Sequence, residues 1–251
     1  MDRMLKWSDQ SVHIYTAEER SQVINAVPLY MQTYDWDCGL ACASMVLKYL
    51  GKGTKTVYTS DLENLKCGES IWTIDLARLM KFYNINHLLC TVTLGVDKGY
   101  QKQTFYNEDG RFSNDEVRIS KLFEEAADIG ICVQKRICSK WSVGIDEIIS
   151  SVRAGHVAIV LVDWSHLECI WCDRRHCKSC CFPCISSSCC RSYQGHFVVV
   201  CGIDEKKRRI FFKNPSYDED MCCSLMEKFD AARKSYGTDE DILFVYKDGV
   251  S

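Results

Sequence analysis

The stretch that decides the fold is Gln32-Thr-Tyr-Asp-Trp-Asp-Cys38-Gly-Leu-Ala-Cys-Ala-Ser-Met-Val-Leu-Lys-Tyr-Leu-Gly51. It begins as a polar loop, and from Cys38 onward apolar residues recur at helical spacing until Gly51, a typical helix stop. This pattern predicts a largely buried helix over 38–50 with Asp37 as its N-cap. Cys38 then occupies the first turn, where the helix dipole and free N–H groups favour a thiolate. A thiolate in this position is a candidate nucleophile.

Helical periodicity dominates the N-terminal half of the chain, whereas short apolar runs dominate the C-terminal half. We predict further helices over 56–66, 71–83, 117–127 and 145–154, a long loop over 97–114, and strands over 87–94, 132–137, 157–162, 197–203, 209–212 and 242–246. Helices that precede a mainly antiparallel sheet indicate an α+β fold. Residues 1–25 are polar and irregular, which predicts a flexible tail ahead of one domain over 26–251.

Composition excludes several classes of protein. The 251 residues are 47% hydrophobic and 26% charged, with a formal net charge of -3, as in ordinary globular domains. Such a charge gives no field that would attract nucleic acid or an anionic membrane. The apolar runs are too short to span a bilayer, and the first 30 residues lack the apolar core of a secretory signal. We therefore expect a soluble cytoplasmic protein, with the nucleus left open. The sequence does not indicate its oligomeric state.

Three more residues complete a candidate catalytic site around Cys38. Gln32 lies six residues earlier, where its amide can donate to an oxyanion beside the Cys38 backbone N–H. His196 opens a predicted strand, and Asn214 ends the partner strand of the same hairpin. Strand pairing brings the two side chains together, so Asn214 can orient His196 as the third member of a triad. The pattern predicts a Cys38–His196–Asn214 triad with Gln32 as oxyanion donor.

Each of these residues also has an ordinary interpretation. A cysteine at a helix start is usually a small buried residue, a histidine at a strand edge is usually structural, and Asn-Pro usually marks a turn. His156 also precedes an apolar strand, but no amide or carboxylate follows it on a close hairpin partner. Cys42 lies one turn inside the helix and is expected to belong to the core. The combination and order of residues favour the triad.

Eight of the 17 cysteines crowd into a polar insert over 163–194. Two-residue spacings recur there, and paired CxxC units are typical of structural zinc sites. Zinc would also explain how an insert with few apolar residues becomes ordered. A reduced cysteine-rich loop and reversible palmitoylation remain alternatives. The predicted ligands are Cys169, Cys172, Cys177, Cys180, Cys181, Cys184, Cys189 and Cys190, with His166 and His176 as substitutes.

Two resemblances follow from these motifs. The segment from Gln32 to Gly51, together with His196-Phe-Val-Val-Val and Asn214-Pro215, resembles the bacteriocin-processing peptidases, papain-like enzymes that cut leader peptides after a double glycine. That family usually has Asp-Pro where this chain has Asn-Pro. Across nearly its whole length the chain is similar to the eukaryotic guanylyl cyclase domain-containing family. The matching stretches are Trp36-Asp-Cys-Gly-Leu-Ala-Cys42, Ser70-Ile-Trp-Thr-Ile-Asp-Leu-Ala77, Thr93-Leu-Gly-Val-Asp-Lys-Gly-Tyr100, Gly155-His-Val-Ala-Ile-Val-Leu161, Tyr193-Gln-Gly-His-Phe197 and Ser235-Tyr-Gly-Thr-Asp-Glu-Asp-Ile-Leu-Phe244.

The resemblances imply different activities. The peptidases imply a papain-like cysteine hydrolase acting on a peptide or isopeptide bond of a peptide or protein. The second family's name implies a guanylyl cyclase that makes cyclic GMP from GTP. Cyclisation ordinarily needs two carboxylates on paired metal ions and a phosphate cradle, and the sequence has no Gly-rich phosphate loop. We therefore favour the hydrolase, with a catalytically silent binding scaffold as a further alternative.

Overall fold

The computed structural model describes residues 21–52, 65–102, 104–107, 112–135, 142–172 and 193–248. Its strands are β1 Gln22–Ile24, β2 His87–Thr91, β3 Val133–Lys135, β4 Val157–Asp163, β5 Gly195–Asp204, β6 Arg209–Lys213, β7 Cys222–Leu225 and β8 Ile242–Val245. Its α-helices are α1 Cys38–Tyr49, α2 Thr73–Phe82, α3 Thr104–Asn107, α4 Phe112–Glu125, α5 Ile145–Arg153 and α6 Met226–Arg233, and a 3-10 helix spans Lys98–Lys102. The predicted α+β fold class is confirmed.

The strands form one sheet in the order β3-β2-β8-β4-β5-β6-β7, with β1 paired to β5. Among the described strand pairs only β2 and β3 run parallel, so the sheet is mostly antiparallel. Alternate residues of the central strands enter two different cores. On β5, Phe197 and Val199 join the cluster packed against α1 and α2, whereas Val198 and Val200 join the cluster packed against α5 and α6. The sheet is therefore covered on both faces, and His196 opens a buried central strand.

Helix α1 is buried over nearly its whole length, as the sequence predicts. It can approach the sheet closely because position 39 is a glycine. A Cβ there would lie 3.1 Å from atoms of both Ile71 and Phe197. The helix ends where Gly51 adopts a φ of 66°, a left-handed conformation that glycine reaches without strain. This packing fixes the start of α1, and hence Cys38, against strand β5.

Asp37 is the N-cap residue of α1, as predicted, but its side chain does not cap the helix. Its carboxylate accepts hydrogen bonds from the backbone N–H groups of Thr33 (3.1 Å) and Tyr34 (3.0 Å), and it makes no cap bond to α1. The side chain points back because the backbone N–H groups of the preceding loop lie within hydrogen-bonding reach. Asp37 therefore shapes the loop that leads into Cys38.

Four segments of the structure differ from the sequence predictions. Residues 22–24, assigned to a flexible tail, form β1, and the expected loop over 97–114 contains the 3-10 helix, α3 and the start of α4. Strand β7 and helix α6 were not predicted, because short segments with mixed polarity carry little periodicity. The predicted helix over 56–66 lies almost wholly outside the described residues.

No helix in the described part of the chain is both long and apolar enough to cross a membrane.

Candidate active site

The clearest polar contact at the site joins His196 and Asn214. His196 Nε2 lies 2.9 Å from Asn214 Oδ1, and both residues are almost fully buried. The same oxygen accepts a hydrogen bond from the backbone N–H of Ser216 at 2.9 Å, which identifies it as the amide oxygen. His196 must then donate through Nε2–H, because an amide oxygen only accepts. The neutral imidazole is therefore the tautomer whose Nδ1 is an unprotonated base.

Trp164 is a residue of this site that the sequence interpretation missed. Its ring stacks on His196 with centroids 4.3 Å apart, and its backbone N–H donates to Gln194 O at 2.8 Å. It follows directly after β4, where Val162 pairs with His196. This pairing is the signal that could have placed it, because a residue just beyond Val162 lies next to His196 in an antiparallel ladder. Trp164 therefore covers one face of the buried imidazole.

Cys38 reaches the sheet beside His196. Its thiol hydrogen-bonds with the backbone of Phe197, the residue after His196, and with the backbone of Gly39. One turn later, Cys42 Sγ donates to Phe197 O at 3.3 Å, so α1 contacts β5 through both cysteines. Within the described residues, the Cys38 thiol therefore hydrogen-bonds with backbone groups, whereas the His196 imidazole hydrogen-bonds with the Asn214 side chain.

Burial controls the ionisation of both groups. The pKa of the Cys38 thiol is raised to about 11, chiefly because burial disfavours the thiolate, although backbone hydrogen bonds act the other way. The lowered pKa expected from the helix start is therefore not observed, because desolvation outweighs the favourable field. The pKa of His196 is lowered to about 4, again chiefly by burial, which its hydrogen bond with Asn214 partly offsets. In this closed arrangement the thiol and the imidazole are both neutral.

We expect the burial of His196 to make the protein acid-sensitive. The unfolded state takes up a proton near the ordinary histidine pKa, whereas the folded state does so only near a pKa of about 4. The free energy of unfolding is therefore unaffected by protonation of His196 above pH ~6.5. It decreases by roughly 3 kcal/mol in total as the pH falls from there to about 4, because only the unfolded state takes up the proton in this range. Urea unfolding at several pH values should show the loss in the wild type and its absence in His196→Gln. The matched control His166→Gln, at a side chain that is 63% exposed, should keep it. An equal pH dependence of the unfolding free energy in the wild type and in His196→Gln would contradict the lowered pKa of His196.

Gln32 connects the loop before Cys38 to the loop after Asn214. Its Oε1 accepts a hydrogen bond from Ser216 Oγ at 2.7 Å, and its backbone N–H donates to Pro215 O at 2.9 Å. Its amide Nε2 donates to Tyr34 O at 2.8 Å. The amide thus holds the two loops together, and one of its two N–H groups already has an acceptor.

The alternative base, His156, lies at the opposite end of β4. Its Nδ1 accepts a hydrogen bond from the backbone N–H of Lys247 at 3.1 Å, and its ring packs edge-on against Tyr246. It therefore acts in the packing of the C-terminal segment.

Three cysteine sulfurs form a second cluster, which could hold a metal ion. The Sγ atoms of Cys169, Cys172 and Cys222 all lie within 4.8 Å of one another. The first two belong to the predicted ligand set, whereas Cys222 on β7 was missed, because nothing in its local sequence marks it as a partner. The other predicted ligands, Cys177, Cys180, Cys181, Cys184, Cys189 and Cys190, lie outside the described residues, as does His176. His166 contacts Ser235 and Asp163 instead.

The site thus consists of a helix-start cysteine packed beside a strand that carries a histidine–asparagine pair. The chain itself belongs to the guanylylate cyclase family, whose sequence profile matches residues 27–245. It is 35% identical over 220 residues to Guanylyl cyclase 1 of Arabidopsis thaliana. The aligned residues make up 87% of this chain and 75% of that relative. Among solved structures, it is similar to a putative C39-like peptidase from Bacillus anthracis, with a TM-score of 0.49 and 15% identity, covering 90% of this chain and 98% of the other.

Proposed function

We propose that this protein is a papain-like cysteine hydrolase that cleaves a peptide or isopeptide bond. Cys38 is the nucleophile, His196 the general base, and Asn214 the residue that orients the base. The observation that carries the proposal is the 2.9 Å hydrogen bond between His196 Nε2 and Asn214 Oδ1. It supports the proposal because it leaves Nδ1 as the basic nitrogen, on the residue adjoining the backbone that binds the Cys38 thiol.

In the proposed reaction, the thiol proton of Cys38 passes to His196 Nδ1 as the sulfur attacks the substrate carbonyl carbon. The resulting oxyanion accepts hydrogen bonds from the Cys38 backbone N–H and from the Gln32 amide. The imidazolium of His196 then gives its proton to the leaving amine, and the acyl group remains on sulfur. Water, deprotonated by the same Nδ1, releases the acid and restores the thiol.

The burial of the site requires that it opens for substrate. Cys38 is 7% exposed and His196 is 2% exposed, so a peptide reaches the sulfur only after neighbouring side chains move. The partly exposed Trp164, stacked on His196, is the side chain whose displacement would admit water and substrate to the ring. Solvation would then lower the thiol pKa and raise the imidazole pKa, which favours proton transfer.

The same burial is the observation that favours a catalytically silent binding scaffold. A thiol with a pKa of about 11 beside an imidazole with a pKa of about 4 stays neutral and unreactive unless the site opens. A scaffold would keep the triad as part of its core. Hydrolysis and scaffold therefore differ in one measurable property, turnover that depends on Cys38.

A peptide library derived from a cell proteome, supplemented with isopeptide-linked peptides, provides the experiment. We expect the wild type to generate new termini that mass spectrometry detects, at a preferred sequence around the cleaved bond. Cys38→Ala should generate none. Absence of cleavage by a folded wild type across both substrate classes would favour the scaffold.

Family membership is the observation that favours a second candidate, the conversion of GTP to cyclic GMP. Cyclisation ordinarily uses carboxylates that hold paired metal ions. Among the described residues, the cluster whose geometry suits a metal consists of three thiols. Incubation of the wild type with GTP and Mg²⁺ or Mn²⁺, followed by detection of cyclic GMP, tests this candidate. We expect no cyclic GMP above the enzyme-free blank. Formation of cyclic GMP by both the wild type and Cys38→Ala would establish a cyclase that is independent of the triad.

A further inference from the structure

We infer that Cys169, Cys172 and Cys222 form a zinc site that fastens the segment after β4 to strand β7. Cys169 Sγ lies 2.9 Å from Cys172 Sγ, which in turn lies 3.2 Å from Cys222 Sγ. Cys222 is 50 residues from Cys172, so the cluster joins two segments that are distant in sequence. The proposal concerns a site separate from the Cys38 chemistry and does not depend on hydrolysis.

The backbone around the cluster is already arranged to support a thiolate ligand. Cys169 Sγ accepts hydrogen bonds from the backbone N–H groups of Cys172 at 3.2 Å and Cys223 at 3.5 Å. The backbone N–H of Ile170 donates to Cys223 O at 2.6 Å, which ties the segment to β7. Such N–H donors orient a sulfur ligand and stabilise its negative charge before the ion arrives.

The chemistry of the three donors suits zinc. Thiolate sulfur is a soft ligand that binds Zn²⁺ at about 2.3 Å in tetrahedral sites, whereas Mg²⁺ and Ca²⁺ prefer oxygen. The separations of 2.9 and 3.2 Å are longer than the roughly 2.05 Å of a disulfide bond, and the three cysteines are free thiols. Binding replaces three S–H protons by one Zn²⁺, releases those protons to solvent, and needs no oxidant.

The burial pattern allows an ion to enter and then be held. Cys222 is fully buried on β7, whereas Cys169 and Cys172 are only partly buried. All three sulfurs lie on the side of the sheet that packs against α5 and α6, together with Tyr217. Tyr217 also packs edge-on against Trp164, at 6.1 Å between ring centroids. The zinc site therefore supports the surface next to the stacked Trp164 and His196 rings.

Zinc content of a variant series tests the inference. The full chain is purified, supplied with a slight excess of ZnCl₂, desalted and assayed by elemental analysis. We expect Cys222→Ser to hold about one zinc ion fewer per chain than the wild type, since the site binds one ion. The matched control Cys223→Ser, at the next position of the same strand, should keep the wild-type content. Because the comparison is a difference, zinc on other cysteines cancels. Equal zinc in the wild type and Cys222→Ser would overturn the inference.

A second measurement uses the unaltered protein, in case Cys222→Ser does not fold. The zinc-loaded wild type is treated with a thiol alkylator with and without a zinc chelator, and the modified cysteines are mapped by mass spectrometry. We expect the chelator to increase modification of Cys169 and Cys172 at least several-fold, because both residues are only partly buried and no longer bound once the ion leaves. Exposed Cys132 should react equally in both samples. Equal modification of Cys169 and Cys172 with and without chelator would show that they bind no zinc.

Discussion

Replacing Cys38 by alanine should abolish hydrolysis, with a loss of at least about 10⁴-fold in kcat/KM. The reason is chemical, because an alanine side chain has no group that can form the acyl intermediate. Alanine fills most of the same buried space at the start of α1 and favours the helix, so the fold should survive. Cleavage rates on the best peptide from the library measure the effect, with thermal unfolding of both proteins to confirm that they fold.

The chain offers a matched control one turn further along the same helix. Cys42 is also buried, and its Sγ also contacts Phe197, but through the carbonyl at 3.3 Å. Cys42→Ala should lose some stability and retain activity within about tenfold. A Cys42→Ala variant that is folded and inactive, or a Cys38→Ala variant that is active, would reassign or remove the nucleophile.

The second large effect is expected at His196. Glutamine at this position keeps a polar side chain that can hydrogen-bond with Asn214 but cannot take up the thiol proton. We expect kcat to fall by about 10²–10⁴-fold, the usual contribution of a general base. The KM should change far less, because His196 is 2% exposed and offers little surface to a bound peptide. Steady-state kinetics of the wild type and His196→Gln measure both quantities.

Asn214→Asp separates the role of the base from that of its orienting partner. The carboxylate would accept from His196 Nε2 as the amide does, and it would add a negative charge that raises the pKa of the imidazole. It would also remove Asn214 Nδ2, a buried donor with no partner among the described residues. We expect this variant to stay active, with the acid limb of its pH–rate profile moved to higher pH. An unchanged acid limb would mean that Asn214 does not act through His196.

The elements that hold the proposed triad could be predicted because their signals are local. Continuous apolar runs identify the buried strands β4, β5 and β6, and helical periodicity identifies α1. The β5–β6 hairpin, which has a register shift between Val200 and Gly202, then brings His196 and Asn214 within hydrogen-bonding distance. The same local reasoning selects Cys38 from 17 cysteines, because it considers only the start of a helix.

What the sequence could not predict depends on contacts between distant segments. Cys222 joins the thiol cluster only because β7 pairs with β6 beside the segment that carries Cys169 and Cys172. Trp164 covers His196 through the β4–β5 register. The raised thiol pKa of Cys38 follows from its burial between α1 and the sheet, which no local helix-dipole argument contains. These features belong to tertiary packing, which overrides local signals.

Covalent trapping with a peptide that carries a thiol-reactive electrophile tests the central claim most directly. The electrophile occupies the position of the scissile carbonyl, so it reports a nucleophile that a substrate can reach and a base that activates it. Intact-protein mass spectrometry and peptide mapping identify the site. We predict one adduct per chain on Cys38, formed equally by Cys42→Ala and greatly slowed in His196→Gln. A Cys38 that remains unmodified while other cysteines react, or that reacts as fast in His196→Gln as in the wild type, would contradict the account.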